Sequence, residues 1–114
     1  LGRAGEAAAA RALERAGLRV LERRWRTQLG EIDLVAEQGE LVVFVEVKTR
    51  TCSPYGTPAE AVTARKRSRL GRVALAYLAH RGWLERPSRF DVVEVDAGPD
   101  GLGRVEHLPD AFRL

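Results

Sequence analysis

Gly30-Glu31-Ile32-Asp33-Leu34-Val35-Ala36-Glu37-Gln38-Gly39-Glu40-Leu41-Val42-Val43-Phe44-Val45-Glu46-Val47-Lys48 is the stretch whose reading decides the fold. Its first part, Gly30 to Glu37, alternates with the period of two expected of a half-buried strand. The second part is apolar on both faces from Leu41 to Val45, as a strand inside a sheet is written. Gln38-Gly39-Glu40 between them has the length and the glycine of a hairpin turn. At the far end of the apolar strand, Glu46 and Lys48 stand at i and i+2 and therefore point the same way. Charge placed there is costly unless something compensates it.

Register arithmetic tests whether Asp33 joins them. If Gln38-Gly39 is the loop, paired numbers sum to 77, and Asp33 lies opposite Phe44 and diagonal to Glu46. If the loop is Gly39-Glu40, the sum is 79 and Asp33 lies directly opposite Glu46. Either sum puts both carboxylates on one face, with Cβ atoms roughly 5 Å apart when opposite or about 7 Å when diagonal. Two carboxylates at that separation suit Mg²⁺ or Mn²⁺, which bind through one or two protein carboxylates and keep other positions for water and phosphate. Lys48 on the same face is placed to hold or help deprotonate an attacking water, or to stabilise charge developing on a phosphate. The competing reading is a plain Glu46–Lys48 ion pair at a wet strand end.

Composition bears on that choice. Of the 19 basic residues, two are lysines, Lys48 and Lys66, and 19 − 2 = 17 are arginines. Lysine is a compact charge whose pKa falls on burial, whereas arginine stays charged, so a reactive site has reason to keep lysine. The length of 114 residues predicts a single domain, 1–114, and the 45% hydrophobic content is that of a globular protein. A net charge of +3 permits a polyanionic partner without requiring one. Cys52 is the sole cysteine, which excludes an intrachain disulfide and a thiolate cluster and makes a cytoplasmic location the simplest expectation. No apolar run approaches the ~20 residues needed to cross a bilayer, so no membrane partner is expected.

Working outward, Gly5 to Ala16 reads as an Ala-rich first helix stopped by Gly17. Glu6, Ala9, Ala10, Leu13 and Ala16 share its core-facing stripe, so Glu6 either favours the positive helix end or serves as a third acidic ligand. Arg19 to Thr27 reads as a basic edge strand. Its Trp25 caps the core or stacks on a sugar or base. The loop Thr51 to Pro58, with Tyr55, is a substrate-contacting flap or a connector. Thr63 is a candidate N-cap for a helix from Ala64 to about His80, closing at Gly82. Lys66, Leu70, Val73 and Tyr77 form its inner stripe, and Arg65, Arg69 and Arg72 a basic flank that is either a solvated face or a DNA-backbone contact. Arg89 to Val95 reads as a strand, Ala97 to Gly103 as a glycine-rich turn, and Arg104 to Leu108 as a last short strand. His80 and His107 read as structural. The resulting order is helix, three strands, helix, strand and a terminal strand.

Several of these segments together resemble the uncharacterised YraN family. They are Glu6 in the first helix, Gly30-Glu31-Ile32-Asp33, Phe44-Val45-Glu46-Val47-Lys48-Thr49-Arg50, Pro58-Ala59-Glu60-Ala61-Val62-Thr63, Lys66 and Arg89-Phe90-Asp91-Val92-Val93. That family resembles a branch of the PD-(D/E)xK, restriction-endonuclease-like nucleases, and its motif is similar to that of archaeal Holliday-junction resolvases. The resemblance spans nearly the whole chain. It implies an α/β restriction-endonuclease-like core, αβββαβ, around a central mixed sheet flanked by helices. It also implies metal-dependent endonucleolytic hydrolysis of DNA, on branched or flap structures, with Mg²⁺ or Mn²⁺ as cofactor. Asp33, Glu46, the Val47 backbone carbonyl and Glu6 are then the metal ligands, and Lys48, Glu46, Asp33 and Glu6 the catalytic set. Lys66, Arg65, Arg69, Arg50 and Tyr55 are the candidate DNA contacts, and a homodimer is a candidate assembly. Ile32 stands before Asp33 where the superfamily motif has proline. The alternative function is a non-catalytic DNA- or protein-binding module on the same fold.

Overall fold

The computed structural model describes residues 2–51, 64–98 and 101–112. Helix α1 (Gly2–Arg15) precedes three strands, β1 (Arg19–Thr27), β2 (Gly30–Gln38) and β3 (Leu41–Thr51). Helix α2 (Ala64–Arg81) and strands β4 (Ser88–Gly98) and β5 (Gly101–Phe112) complete the order. The five strands form one sheet in sequence order. β3 and β4 are parallel and the other neighbours antiparallel, so the sheet is mixed. A parallel pair needs a crossover, and α2 lies within that connection. This is the α/β architecture expected from the sequence.

The hairpin register resolves to the sum of 79. Gln38 pairs with Leu41 and Leu34 with Val45, leaving Gly39-Glu40 as the loop. Gly39, at φ 59°, takes the left-handed first loop position that a type II′ turn reserves for glycine. The central strand β3 contributes Val42 and Phe44 to one core and Val43 and Val45 to the other, which is why it reads as continuously apolar. One core joins β2–β5 to Leu70, Val73, Ala74, Tyr77 and Leu78 of α2, and the other packs Ala9, Ala10 and Leu13 of α1 against the opposite face. Tyr77 anchors the first, edge-on to Trp25 at 5.1 Å and to Phe44 at 5.9 Å. Trp25 thus caps the core.

Three boundaries differ from the sequence expectation. α1 ends at Arg15, so Ala16 lies outside the helix and is exposed rather than part of the buried stripe; Gly17, at φ 91°, makes the turn. The turn between β4 and β5 is tighter than the glycines suggest: Gly98 already pairs with Gly101. β5 also runs past Leu108 through Pro109 to Phe112. An edge strand tolerates proline because one side of its ladder is unpaired, and the register slips there, between the Phe90 and Val92 pairings, with Asp110 at φ 53°.

That slip is held by Asp91, which is fully buried. Arg89 donates to its two oxygens at 2.9 and 3.2 Å, His107 Nε2 lies 2.7 Å away, and the Asp110 N–H donates at 2.9 Å. His107 is structural, as expected, and Asp91 is the buried charge it helps satisfy. Removing the carboxylate strands these donors. Asp91→Ala is therefore expected to lower unfolding free energy by about 3 kcal/mol, measured by urea denaturation; a loss under ~1 kcal/mol would show that Asp91 does not organise β5.

Candidate metal centre

β2–β3 pairing stops at Leu34↔Val45, one step before Asp33 and Glu46 would meet. Ile32 and Val35, an odd number of positions apart, both enter the α2-side core, so strict alternation also fails at this point. Asp33 occupies the break. Its Oδ2 accepts the Val47 N–H at 2.8 Å, a side chain standing where a ladder carbonyl would be. An extended residue turns its N–H and C=O to the same side, so the Val47 carbonyl faces the opened seam as well.

Carboxylates of α1, β2 and β3 converge on Asp33. Oxygens of Glu6 (α1), Glu31 and Asp33 all lie within 4.8 Å of one another. Glu31, Asp33 and Glu46 border a cleft of about 300 Å³ that is also lined by Arg65, Lys66 and Arg69 of α2. Burial first, then the charge of Glu46, push the Asp33 carboxyl up from 3.8 to about 7, with Glu6 and Glu31 adding to the rise and the Val47 hydrogen bond opposing it. Crowded oxygen donors that resist simultaneous ionisation are the donor set a hard divalent cation satisfies. The residues fit Mg²⁺ or Mn²⁺.

The structure distributes the expected site residues unevenly. Asp33 and Glu46 share the cleft, and Glu6 reaches Asp33. Glu46 stands outside the tightest carboxylate group and pairs with Lys66 Nζ at 2.7 Å. Glu31 takes its place there; the sequence reading assigned Glu31 no role, although it belongs to the quoted Gly30-Glu31-Ile32-Asp33 run. Lys48 follows Glu46 on the same face, half-buried and in register with Glu94 of β4. Arg65 and Arg69 line the cleft, so part of the basic flank is turned to the acidic residues. Arg50 is engaged elsewhere, facing Glu94, Asp96 and Glu106 at 3.3 to 3.8 Å on β4 and β5. As a DNA contact, Arg50 would be shared between phosphate and these three carboxylates. Tyr55, Cys52 and Thr63 lie outside the described residues. Two arginines of β1 answer the acids: Arg24 Nε donates to both Glu6 oxygens at 2.8 Å, and Arg26 Nε to Glu31 at 2.6 Å.

The profile of the uncharacterised protein family UPF0102 matches residues 5–95. The chain belongs to that family. It is the YraN family to which the sequence motifs pointed. Over 112 residues it is 54% identical to the UPF0102 protein of Symbiobacterium thermophilum, covering 98% of this chain and 95% of that one. Over 94 residues it is 56% identical to that of Moorella thermoacetica, covering 82% and 78%. Among solved structures, Pyrococcus furiosus SfsA in complex with Ca²⁺ matches with a TM-score of 0.50 at 14% identity, over 98% of this chain and 65% of that chain. At that identity the likeness concerns the fold alone, the mixed α/β sheet described above. Among the described residues no helix is long and apolar enough to cross a membrane.

The raised Asp33 carboxyl has a consequence for stability. A folded-state value of about 7 against 3.8 means that the folded form holds the proton more tightly. The resulting stabilisation is complete below pH ~4, declines as pH rises and is gone above ~7. Asp33→Asn keeps an oxygen for the Val47 N–H and removes the charge. In EDTA it is expected to be more stable than wild type at pH 8, by ~1–3 kcal/mol and with a higher unfolding temperature, and to lose that advantage at pH 4. Thermal melts across this range check it; an unchanged difference from pH 4 to pH 8 contradicts the assignment.

Proposed function

We propose that this UPF0102 protein is a divalent-cation-dependent endonuclease that hydrolyses DNA phosphodiester bonds, with branched or flap DNA as its substrate class. The observation that carries this reading is the opened β2–β3 seam, where oxygens of Asp33, Glu6 and Glu31 lie within 4.8 Å of one another and Asp33, Glu31 and Glu46 border one cation-lined cleft. The similarly folded SfsA was solved in complex with Ca²⁺, which supports a divalent cation on this scaffold.

Asp33, Glu31 and Glu6 offer the oxygen donors that would hold Mg²⁺ or Mn²⁺, with Glu46 and the Val47 carbonyl beside them. Such an ion supplies a lowered water pKa and neutralises charge on phosphate. The chain's own groups do the rest. Arg65 and Arg69 bind the phosphate backbone as permanently charged donors. Lys66 holds the Glu46 carboxylate in position, and the Lys48 ammonium stabilises negative charge on the phosphoryl oxygens.

The test is nicking of supercoiled plasmid together with a panel of duplex, single-stranded, flap and four-way DNA in Mg²⁺ or Mn²⁺. Asp33→Ala and Glu46→Ala are each expected to reduce cleavage by about 10²-fold or more. Folded wild-type protein that cuts none of these substrates in either cation would end the proposal.

A specific observation favours a second reading. Glu46 and Glu6 are already paired internally, with Lys66 and Arg24, as in a binding module that has no need of an ion. Calorimetric titration with Mn²⁺ separates the two: a nuclease shows uptake that Asp33→Asn abolishes, whereas a pure binder retains DNA affinity with no such uptake.

A further inference from the structure

Arg24 adopts a left-handed backbone, φ 53°, in the middle of strand β1. For a residue with a Cβ this conformation costs roughly 1–2 kcal/mol, and asparagine and glycine accept it far more readily than arginine. Its neighbours are regular: Arg23 pairs with Leu34 and Trp25 with Ile32, which sets Arg24 across from Asp33. What distinguishes Arg24 is its guanidinium, whose Nε donates to Oε1 and Oε2 of Glu6 at 2.8 Å each. Glu31 and Asp33 add their charge to that of Glu6 in holding it protonated. The same three carboxylates form the oxygen cluster.

We propose that Arg24 is the resident counter-cation of the Glu6–Glu31–Asp33 cluster, and that a divalent ion gains the Glu6 carboxylate only by displacing the Arg24 guanidinium. The inference rests on the metal-centre reading above. Both oxygens of Glu6 are committed to Arg24, so an entering ion competes with a charge-assisted contact. Arg26 does not close the cluster in the same way, because it holds one oxygen of Glu31 and its side chain is 70% exposed, against 33% for Arg24. Displacement leaves Arg24 at the rim of the site, a cation released where a phosphate-bearing substrate would approach. Arg24 is thus a positioning residue that sets metal affinity through Glu6.

Mn²⁺ titration by calorimetry on the full chain tests this with Arg24→Asn, which suits the left-handed backbone, and Arg24→Lys, which keeps a positive charge. Arg24→Asn is expected to bind Mn²⁺ about tenfold more tightly than wild type, and Arg24→Lys to stay within about threefold of it. Adding Glu6→Gln to both wild type and Arg24→Asn is expected to remove the difference between them. Thermal melts in EDTA confirm that each variant is folded, and Arg24→Gly serves if Arg24→Asn is not. Equal Mn²⁺ affinity in wild type and Arg24→Asn overturns the displacement while leaving the metal centre standing. Absence of Mn²⁺ uptake by both proteins overturns the displacement and the metal centre together.

Discussion

The hydrogen bond from the Val47 N–H to Asp33 is the contact on which the rest of the site depends. In an ordinary hairpin that donor would meet a backbone carbonyl, and the strands would remain zipped. Here a side chain takes it, the β2–β3 ladder ends at Leu34↔Val45, and the sheet opens by one seam. A closed sheet is a barrier between its two faces. An opened one lets acids of α1, β2 and β3 approach a single carboxylate.

That opening explains the electrostatics. Glu6 reaches Asp33 from the α1 layer, Glu46 stands opposite on the α2 side, and Glu31 comes along the same strand. Unscreened, this many carboxylates would repel, and the displaced titration of Asp33 records that repulsion on top of its burial. The protein answers with arginines from the edge strand and a lysine from α2, each bonded to one of the acids. The surrounding cores hold the arrangement rigid: Ala9, Ala10 and Leu13 fix α1, and Leu70, Val73 and Tyr77 fix α2. Alanines on α1 bring its backbone close to the sheet, which a helix of larger residues would not allow.

The fully buried carboxylate of Asp91 offers an instructive contrast to the half-buried Asp33. It is more buried than Asp33, yet Arg89, His107 and the Asp110 amide satisfy it completely from nearby positions on β4 and β5. The two aspartates lie on adjoining parts of one sheet and differ in role because one is surrounded by donors and the other by acceptors. This is the physical basis for treating Asp33 as a site and Asp91 as a structural tie.

The pattern of residues determined the element order, the hairpin, the fully buried central strand and the face shared by Glu46 and Lys48, because periodicity and glycine placement are local properties. It also restricted the hairpin to two registers, both uniting Asp33 with Glu46. The tertiary structure chose between them, since the turn geometry at Gly39 and the packing of both faces act together. Only the fold brought Glu31 and Arg24 to the carboxylate cluster, paired Lys66 with Glu46, and drew Arg50 away to Glu94, Asp96 and Glu106. Arg24, Lys66 and the partners of Arg50 are distant in sequence or turned by a backbone irregularity, so no spacing rule encodes them, whereas Glu31, two residues before Asp33 on β2, is placed beside it by strand alternation. The continuation of β5 through Pro109 was decided likewise, by its position at the sheet edge, where a missing donor leaves no gap in the ladder.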